Sequence, residues 1–264
     1  MLFLQGCNYA CAGCHNPHTI GQCDACGDCI PACPAGALSL SGGQIVFDAT
    51  TCTRCDACLA ACPVSANPMV QHLDVAEVVA LLRRYRPFLT GLTVSGGEAT
   101  LQAGFIAALF AAVRADADLA GLTCMIDSNG HLGIDGWKRL LPVTDGVMLD
   151  IKAFDPDLHR ALTGRTNARS LASVRHVHGQ GKLHELRFLM IPGRTDSAAE
   201  IDSLIGFARS LGAPIRVRLN AFQHHGVRGP ALDWPKMPRA GIEAAADRLR
   251  ASGIGEVVTP AVYV

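Results

Sequence analysis

Residues 7–17 of this 264-residue chain read CNYACAGCHNP, in which Cys7, Cys11 and Cys14 follow the spacing C-x3-C-x2-C. Three thiolates can hold a [4Fe–4S] cube and leave its fourth iron without a protein ligand, and an open metal position is where a substrate can bind. The spacing therefore indicates a catalytic iron–sulfur centre. Two alternatives remain: residues 11–15 also match a c-type haem attachment site, and the trio fits an incomplete zinc site.

Two further groups of four cysteines follow directly, and each has the spacing C-x2-C-x2-C-x3-C with a proline after its last cysteine. This is the bacterial ferredoxin pattern, in which three close cysteines hold one [4Fe–4S] cube and the fourth crosses to the other. The spacing predicts one cluster on Cys23, Cys26, Cys29 and Cys62, and another on Cys52, Cys55, Cys58 and Cys33. Zinc is the alternative, although zinc sites usually present paired C-x2-C knuckles.

The composition excludes several classes of protein. Hydrophobic residues make up 49% of the chain, and 23 basic residues balance 23 acidic ones, so neither disorder nor a nucleic-acid partner is expected. No apolar run is long enough to span a membrane, and no secretory signal is recognisable. Crowded cysteines without a secretory signal are typical metal ligands in a reducing compartment, and haem attachment expects export. We therefore expect a cytoplasmic protein.

Strand and helix patterns alternate through most of the chain. Short apolar runs rich in β-branched residues predict strands at Leu92–Ser95, Leu122–Asp127, Gly146–Ile151, Leu186–Ile191, Ile215–Leu219 and Val257–Val262, and Met1–Gln5 reads as the end of an earlier one. Amphipathic helical patterns lie between them. This alternation predicts an α/β fold with a parallel sheet. Residues 21–68 interrupt it and form a second, ferredoxin-like domain.

Three motifs carry a resemblance to a known family. The cysteine trio followed by His15-Asn16-Pro17 resembles the radical S-adenosylmethionine (SAM) superfamily, and the ferredoxin-type insertion behind it resembles the glycyl-radical-enzyme activases. Within these, the segment from Leu219 to Gly226 is most similar to the YjjW-type branch. The resemblance implies a partial (β/α)6 barrel from residues 1–20 and 69–264, with residues 21–68 as a two-cluster insertion.

The resemblance also implies an activity. A family member reductively cleaves SAM to a 5′-deoxyadenosyl radical, which abstracts hydrogen from a backbone glycine of a transiently bound glycyl radical enzyme. The cofactors expected on this basis are three [4Fe–4S] clusters, SAM and a monovalent cation. Reduced flavodoxin or ferredoxin is the expected electron donor, and the protein is expected to be a monomer. A radical SAM enzyme acting on a small molecule and an iron–sulfur electron carrier remain as alternatives.

Further site residues follow from matching motifs. The segment Ser95-Gly96-Gly97-Glu98-Ala99 resembles the Gly-Gly-Glu motif that binds the amino group of SAM, although two glycines also suit a plain tight turn. Most of the other candidates lie where predicted parallel strands end, the usual place for ligands; they are Asp127, Ser128, Asp150, Lys152 and His224. Arg187, inside the predicted strand Leu186–Ile191, is a further candidate, and Gln223 is the alternative to His224 in the family's histidine-bearing loop. Caps and surface ion pairs are the ordinary alternatives for these side chains. Family members usually carry an aromatic residue before the third cysteine, whereas this chain has Gly13.

Overall fold

The large sheet of the computed structural model, which describes residues 1–212 and 214–261, has seven strands, all parallel. They are β1 (Leu2–Leu4), β4 (Gly91–Gly96), β5 (Thr123–Ser128), β6 (Gly146–Ile151), β7 (Leu183–Met190), β8 (Arg216–Ala221) and β9 (Glu256–Val258). Spatial order follows chain order, with β1 and β9 at the two edges. All seven carboxyl ends therefore lie along one side of the sheet, where the site can form.

Helices fill the connections between these strands. They are α2 (Val75–Tyr85), α3 (Ala103–Ala115), α4 (Ile134–Leu140), α5 (Pro156–Thr163), α6 (Ala168–Gly179), α7 (Ala198–Ser210) and α8 (Arg239–Ala251). Local chemistry sets several starts: Asp74 and Glu77 form a capping box before α2, and the Asp155 side chain accepts two backbone N–H groups before α5. The α/β class and the parallel sheet are thus confirmed. Strand β9 ends at Val258, and Val262 of the prediction lies outside the described residues.

The main apolar core lies between the sheet and the helices. Val94, Ile126 and Leu149 on successive strands are fully buried, as are Ile106 and Phe110 on α3. Within the described residues, no helix combines the length and hydropathy that crossing a membrane requires.

Residues 21–68, predicted to be an inserted domain and called the insertion below, contain a small framework of their own. An antiparallel hairpin of β2 (Leu38–Ser41) and β3 (Gln44–Phe47) turns at Gly42 and Gly43, which both have positive φ, as a two-residue hairpin turn requires. Helix α1 (Ala57–Ala61) packs against the hairpin through a separate apolar cluster that includes Leu38 and Leu59. The insertion therefore packs around its own centre instead of extending the main core.

Candidate functional site

One cavity of about 490 Å³ opens at the carboxyl ends of the parallel strands. It brings together nearly all of the predicted site residues of the large sheet; those lining it are Cys7, Cys11, Cys14, Gly96, Gly97, Glu98, Asp127, Ser128, Asp150, Lys152 and Arg187. These residues come from five parts of the chain, the loop after β1 and the strands β4, β5, β6 and β7 with the residues that follow them. The cavity is therefore lined by thiols, carboxylates and cationic side chains.

The loop with the three cysteines is held in place by backbone hydrogen bonds. Ala10 and Ala12 donate to the carbonyls of Thr163 and Leu162 at the end of α5, each at 3.0 Å. Burial raises the pKa of the Cys7 thiol to about 11 and that of Cys11 to about 12. Three thiols that face one cavity are a donor set that fits a [4Fe–4S] cluster, which takes them as thiolates.

The Gly-Gly-Glu segment contacts the cysteine loop at backbone distance. Gly97 donates its N–H to Leu4 at 3.0 Å, and Glu98 donates to the carbonyl of Gly6 at 2.7 Å. A Cβ on Gly97 would lie only 2.4 Å from the carbonyl oxygens of Gly6 and Thr19. Glycine is therefore required at position 97 mainly because two backbone segments approach each other closely there, and less because of turn geometry.

We expect Gly97→Ala to lower the free energy of unfolding by about 1–3 kcal/mol, because its methyl group must push two backbone carbonyls apart. Denaturant unfolding of the metal-free protein measures this loss. Gly104→Ala is the matched control, since a Cβ there meets no atom within 4 Å. Equal stability of the two variants would show that the Gly97 contact is not tight.

Glu98 is buried beneath the cavity wall, with an exposed fraction of 2%. Its Oε1 accepts hydrogen bonds from Thr100 N–H, Thr100 Oγ1 and Ser128 Oγ, and its Oε2 accepts the N–H of Asn129 at 2.7 Å. Burial raises the pKa of this carboxyl more than these bonds lower it. Glu98 therefore ties the ends of β4 and β5 together, and its contact with the amino group of SAM stays a prediction.

Both predicted carboxylates that line the cavity form ion pairs. Arg187 Nη1 lies 3.0 Å from Asp127 Oδ1, and Lys152 Nζ lies 3.0 Å from Asp150 Oδ2. Burial lowers the pKa of Lys152, but the charges of Asp150 and Cys11 outweigh it, so the pKa is raised and the ammonium is kept. Burial and the nearby Asp150 raise the pKa of Asp127 despite Arg187.

Each predicted carboxylate has one oxygen in an ion pair, Asp127 with Arg187 and Asp150 with Lys152. A carboxylate can accept bonds at about four positions on its two oxygens, so these pairs leave room for a further partner. The expected monovalent cation therefore stays a prediction.

A buried carboxylate behind Arg187 was not predicted from the sequence. Glu185, 2% exposed, pairs with Arg187 at 2.7 Å, Arg218 at 2.9 Å and Arg216 at 3.0 Å. Burial alone would raise the pKa of Glu185, but the hydrogen bonds from Arg187 and Arg218 lower it. The group therefore stays ionised and anchors three guanidinium groups inside the fold, one of which reaches the cavity.

The loop after β8 departs from the prediction for His224. Its Nε2 donates to the carbonyl of Trp234 at 2.7 Å, and the side chain does not line the cavity. Gln223 lines it instead, and its buried Oε1 has no hydrogen-bond partner among the described residues. His15 is similar, because its buried Nε2 is also unpartnered and the residue lines the cavity. Both atoms can form a hydrogen bond with a polar ligand, and Gln223 takes the place at the cavity that was predicted for His224.

Aromatic side chains pack beside Gly13 from outside the cysteine loop. A Cβ at this position would lie 3.0 Å from Phe222 and 3.4 Å from Trp234. Tyr9 lines the cavity too, and its hydroxyl shares hydrogen bonds with Ser170 and His131. The space that the family's aromatic residue would need beside the loop is therefore already taken by Phe222.

The eight cysteines of the insertion divide into two groups in space. A small cavity is lined by Cys23, Cys26, Cys29 and Cys62, and a second by Cys33, Cys52, Cys55 and Cys58. Within the described ranges, no three His, Cys, Asp or Glu side chains are arranged to hold a single metal ion. Ligands of a cube attach to different irons and stand farther apart, so the two groups still fit [4Fe–4S] clusters.

Comparisons with known proteins agree with this site. The sequence model of the Radical SAM superfamily matches residues 1–205. The chain is 30% identical over 254 residues to the (2S)-3-sulfopropanediol sulfolyase activating enzyme of Bilophila wadsworthia, which covers 89% of this chain and 82% of that protein. It is 28% identical over 216 residues to the pyruvate formate-lyase-activating enzyme of Streptococcus mutans, which covers 80% of this chain and 66% of the relative.

A solved structure is similar in fold. Streptococcus suis SuiB, bound to the precursor peptide SuiA, superposes with a TM-score of 0.62 at 13% identity, over 99% of this chain and 48% of that one. At this identity the likeness concerns the fold alone.

Proposed function

Because the chain belongs to the radical SAM superfamily, we propose that it is a glycyl-radical-enzyme activase with a ferredoxin-like insertion of the YjjW type. The observation that carries this proposal is the single cavity in which the three cysteines, the Gly-Gly-Glu segment and the strand-end charges meet. Relatives at about 30% identity that are named activating enzymes support it. The protein then works in the cytoplasm, where thiols stay reduced.

In this proposal Cys7, Cys11 and Cys14 hold a [4Fe–4S] cluster. When bound, the cluster supplies one electron that cleaves SAM to methionine and a 5′-deoxyadenosyl radical. The backbone of Gly96 and Gly97 lies at the wall of the cavity, where the methionine portion of SAM can approach it closely. Lys152, which keeps its charge, would bind the SAM carboxylate, and Ser128 would contact the ribose.

Two further polar atoms at the same cavity are suited to orienting the rest of SAM. Gln223 Oε1 and His15 Nε2 are buried at the cavity and unpartnered within the described part of the chain, and a buried polar atom without a partner costs about 1–3 kcal/mol. A ligand that hydrogen-bonds to both would recover that cost. We assign them to the adenosine portion, in the place expected for His224.

The barrel in this proposal comprises residues 1–20 and 69–264, and residues 21–68 hold two more [4Fe–4S] clusters in the groups described above. Electrons arrive from reduced flavodoxin or ferredoxin, and the active form is a monomer. The partner is a large enzyme whose glycine-bearing loop enters the cavity in a transient complex.

Transfer of deuterium tests the proposed substrate. A peptide with the glycine-bearing segment of a candidate partner, carrying two deuterium atoms on that glycine's α-carbon, is incubated anaerobically with reduced protein and SAM. We expect deuterium in 5′-deoxyadenosine from this peptide, and none from a control peptide in which an α-deuterated L-alanine replaces that glycine. 5′-Deoxyadenosine without deuterium would indicate a small-molecule substrate, and no 5′-deoxyadenosine at all would indicate an electron carrier.

A further inference from the structure

A single peptide group joins the insertion to the cysteine loop of the cavity. The carbonyl of Ile20 accepts the N–H of Cys7 at 2.9 Å, and the N–H of Gly21, in the same peptide, donates to the carbonyl of Ser65 at 3.1 Å. Ser65 in turn donates its N–H to the carbonyl of Cys62 at 3.4 Å. Hydrogen bonds on both sides of one planar peptide thus connect Cys7 with Cys62.

The Ile20–Gly21 peptide, called the bridge below, is held in place by neighbouring groups. The side-chain amide of Gln5 donates to the carbonyls of Gly21 at 2.5 Å and His18 at 2.9 Å. A Cβ on Gly21 would lie 1.8 Å from the carbonyl oxygen of Val64, so any larger residue pushes the two segments apart. The Cys62 sulfur also accepts the N–H of Ala66 at 3.3 Å. The peptide that accepts the N–H of Cys7 is therefore packed closely against the segment that follows Cys62.

The other cysteine group is connected to the barrel less directly. The backbone N–H of Cys33 bonds to Ile30 within the insertion. Near Cys58, the contact is a side chain: Arg228 Nη1 donates to the carbonyl of Leu59 at 2.8 Å, from the loop after β8 and not from the cysteine loop. The Arg228 contact is an alternative route between the second cysteine group and the barrel. The experiment below distinguishes it from the route across the Ile20–Gly21 peptide.

We propose that the group Cys23, Cys26, Cys29 and Cys62 is the immediate electron donor to the cysteine loop, across the Ile20–Gly21 peptide, and that the second group stands one step farther away. This inference rests on the proposed function. One electron crosses per SAM cleaved, so the insertion side is oxidised by one electron and the loop side is reduced by one, without proton transfer. The low-potential protein donor restores the electron.

A matched pair of ligand variants tests the order. Cys26 and Cys55 are the middle cysteines of the two C-x2-C-x2-C runs, and both are exposed. Each is replaced by serine in the full chain, and the reconstituted, reduced proteins are compared by electron paramagnetic resonance. We expect magnetic broadening of the signal from the cysteine loop to persist in Cys55→Ser and to be lost in Cys26→Ser.

The reverse pattern, or equal broadening in both variants, would overturn the proposed order. Iron analysis separates this from failure of the proposed function, since three clusters need about 12 irons per chain in the unaltered protein. An unaltered protein without iron on the cysteine loop would overturn the proposed function itself.

The bridge has its own test in Gly21→Ala. With reduced ferredoxin as the donor, we expect the cysteine-loop signal to appear several-fold more slowly, at unchanged iron content. Gly206→Ala, on α7 where a Cβ meets no atom within 4 Å, is the control and should keep the original rate. An unchanged rate in Gly21→Ala would contradict transfer across this peptide.

Discussion

We expect the replacement of Cys11 by alanine to abolish SAM cleavage and to leave the iron of the insertion in place, about 8 of about 12 irons per chain. Cys11 lies between Ala10 and Ala12, whose N–H groups are both bound to the end of α5, so the loop cannot shift to offer another ligand. With two thiolates remaining, the cluster of the cavity is not held. Iron analysis and chromatographic detection of 5′-deoxyadenosine measure the two effects together.

The matched control is Cys124→Ala. Cys124 is fully buried on β5 in the main core and does not line the cavity, so this variant keeps SAM cleavage at a modest cost in stability. Full activity in Cys11→Ala would show that the cysteine loop does not hold the catalytic cluster.

The largest loss of stability is expected for Glu185→Gln, about 3 kcal/mol at pH 7, because removal of one partner leaves buried charges uncompensated. In this variant Arg187, Arg216 and Arg218 face one another without their shared carboxylate. Partial exposure of the arginines moderates the loss. Urea unfolding of the metal-free protein measures it.

The loss depends on pH in a defined direction. The pKa of Glu185 is lowered in the folded protein, so its contribution is present above the unfolded pKa and is lost as pH falls through the folded one. The stability difference between Glu185→Gln and the unaltered protein therefore shrinks in acid. Asp247→Asn, which removes an exposed pair with Arg250, is the control and should change stability little at any pH. A constant difference would show that Glu185 is not the titrating group.

The cysteine trio was predictable from the sequence because its spacing indicates the cluster that it can hold. The Gly-Gly-Glu segment was predicted from its resemblance to a family motif. Their meeting in one cavity followed from a rule about parallel strands, whose carboxyl ends share one side of the sheet. The requirement for glycine at position 97 was not predictable, since it depends on carbonyls of Gly6 and Thr19 far away in the chain.

The ion pairs of Glu185 were not predicted, because they depend on which face of a strand each residue occupies. Glu185 and Arg187 on β7, and Arg216 and Arg218 on β8, alternate with apolar residues, and this alternation was a usable signal of a polar inner face. Gly42-Gly43 between alternating runs likewise signalled the β2–β3 hairpin. The choice of Gln223 over His224 depends on the direction of a loop that no periodic pattern specifies.

Anaerobic reconstitution followed by reduction and addition of SAM tests the central claim, a SAM-cleaving centre on Cys7, Cys11 and Cys14. We predict about 12 irons per chain and equal amounts of methionine and 5′-deoxyadenosine. About 8 irons per chain and intact SAM would contradict the claim, because only the insertion would then carry clusters.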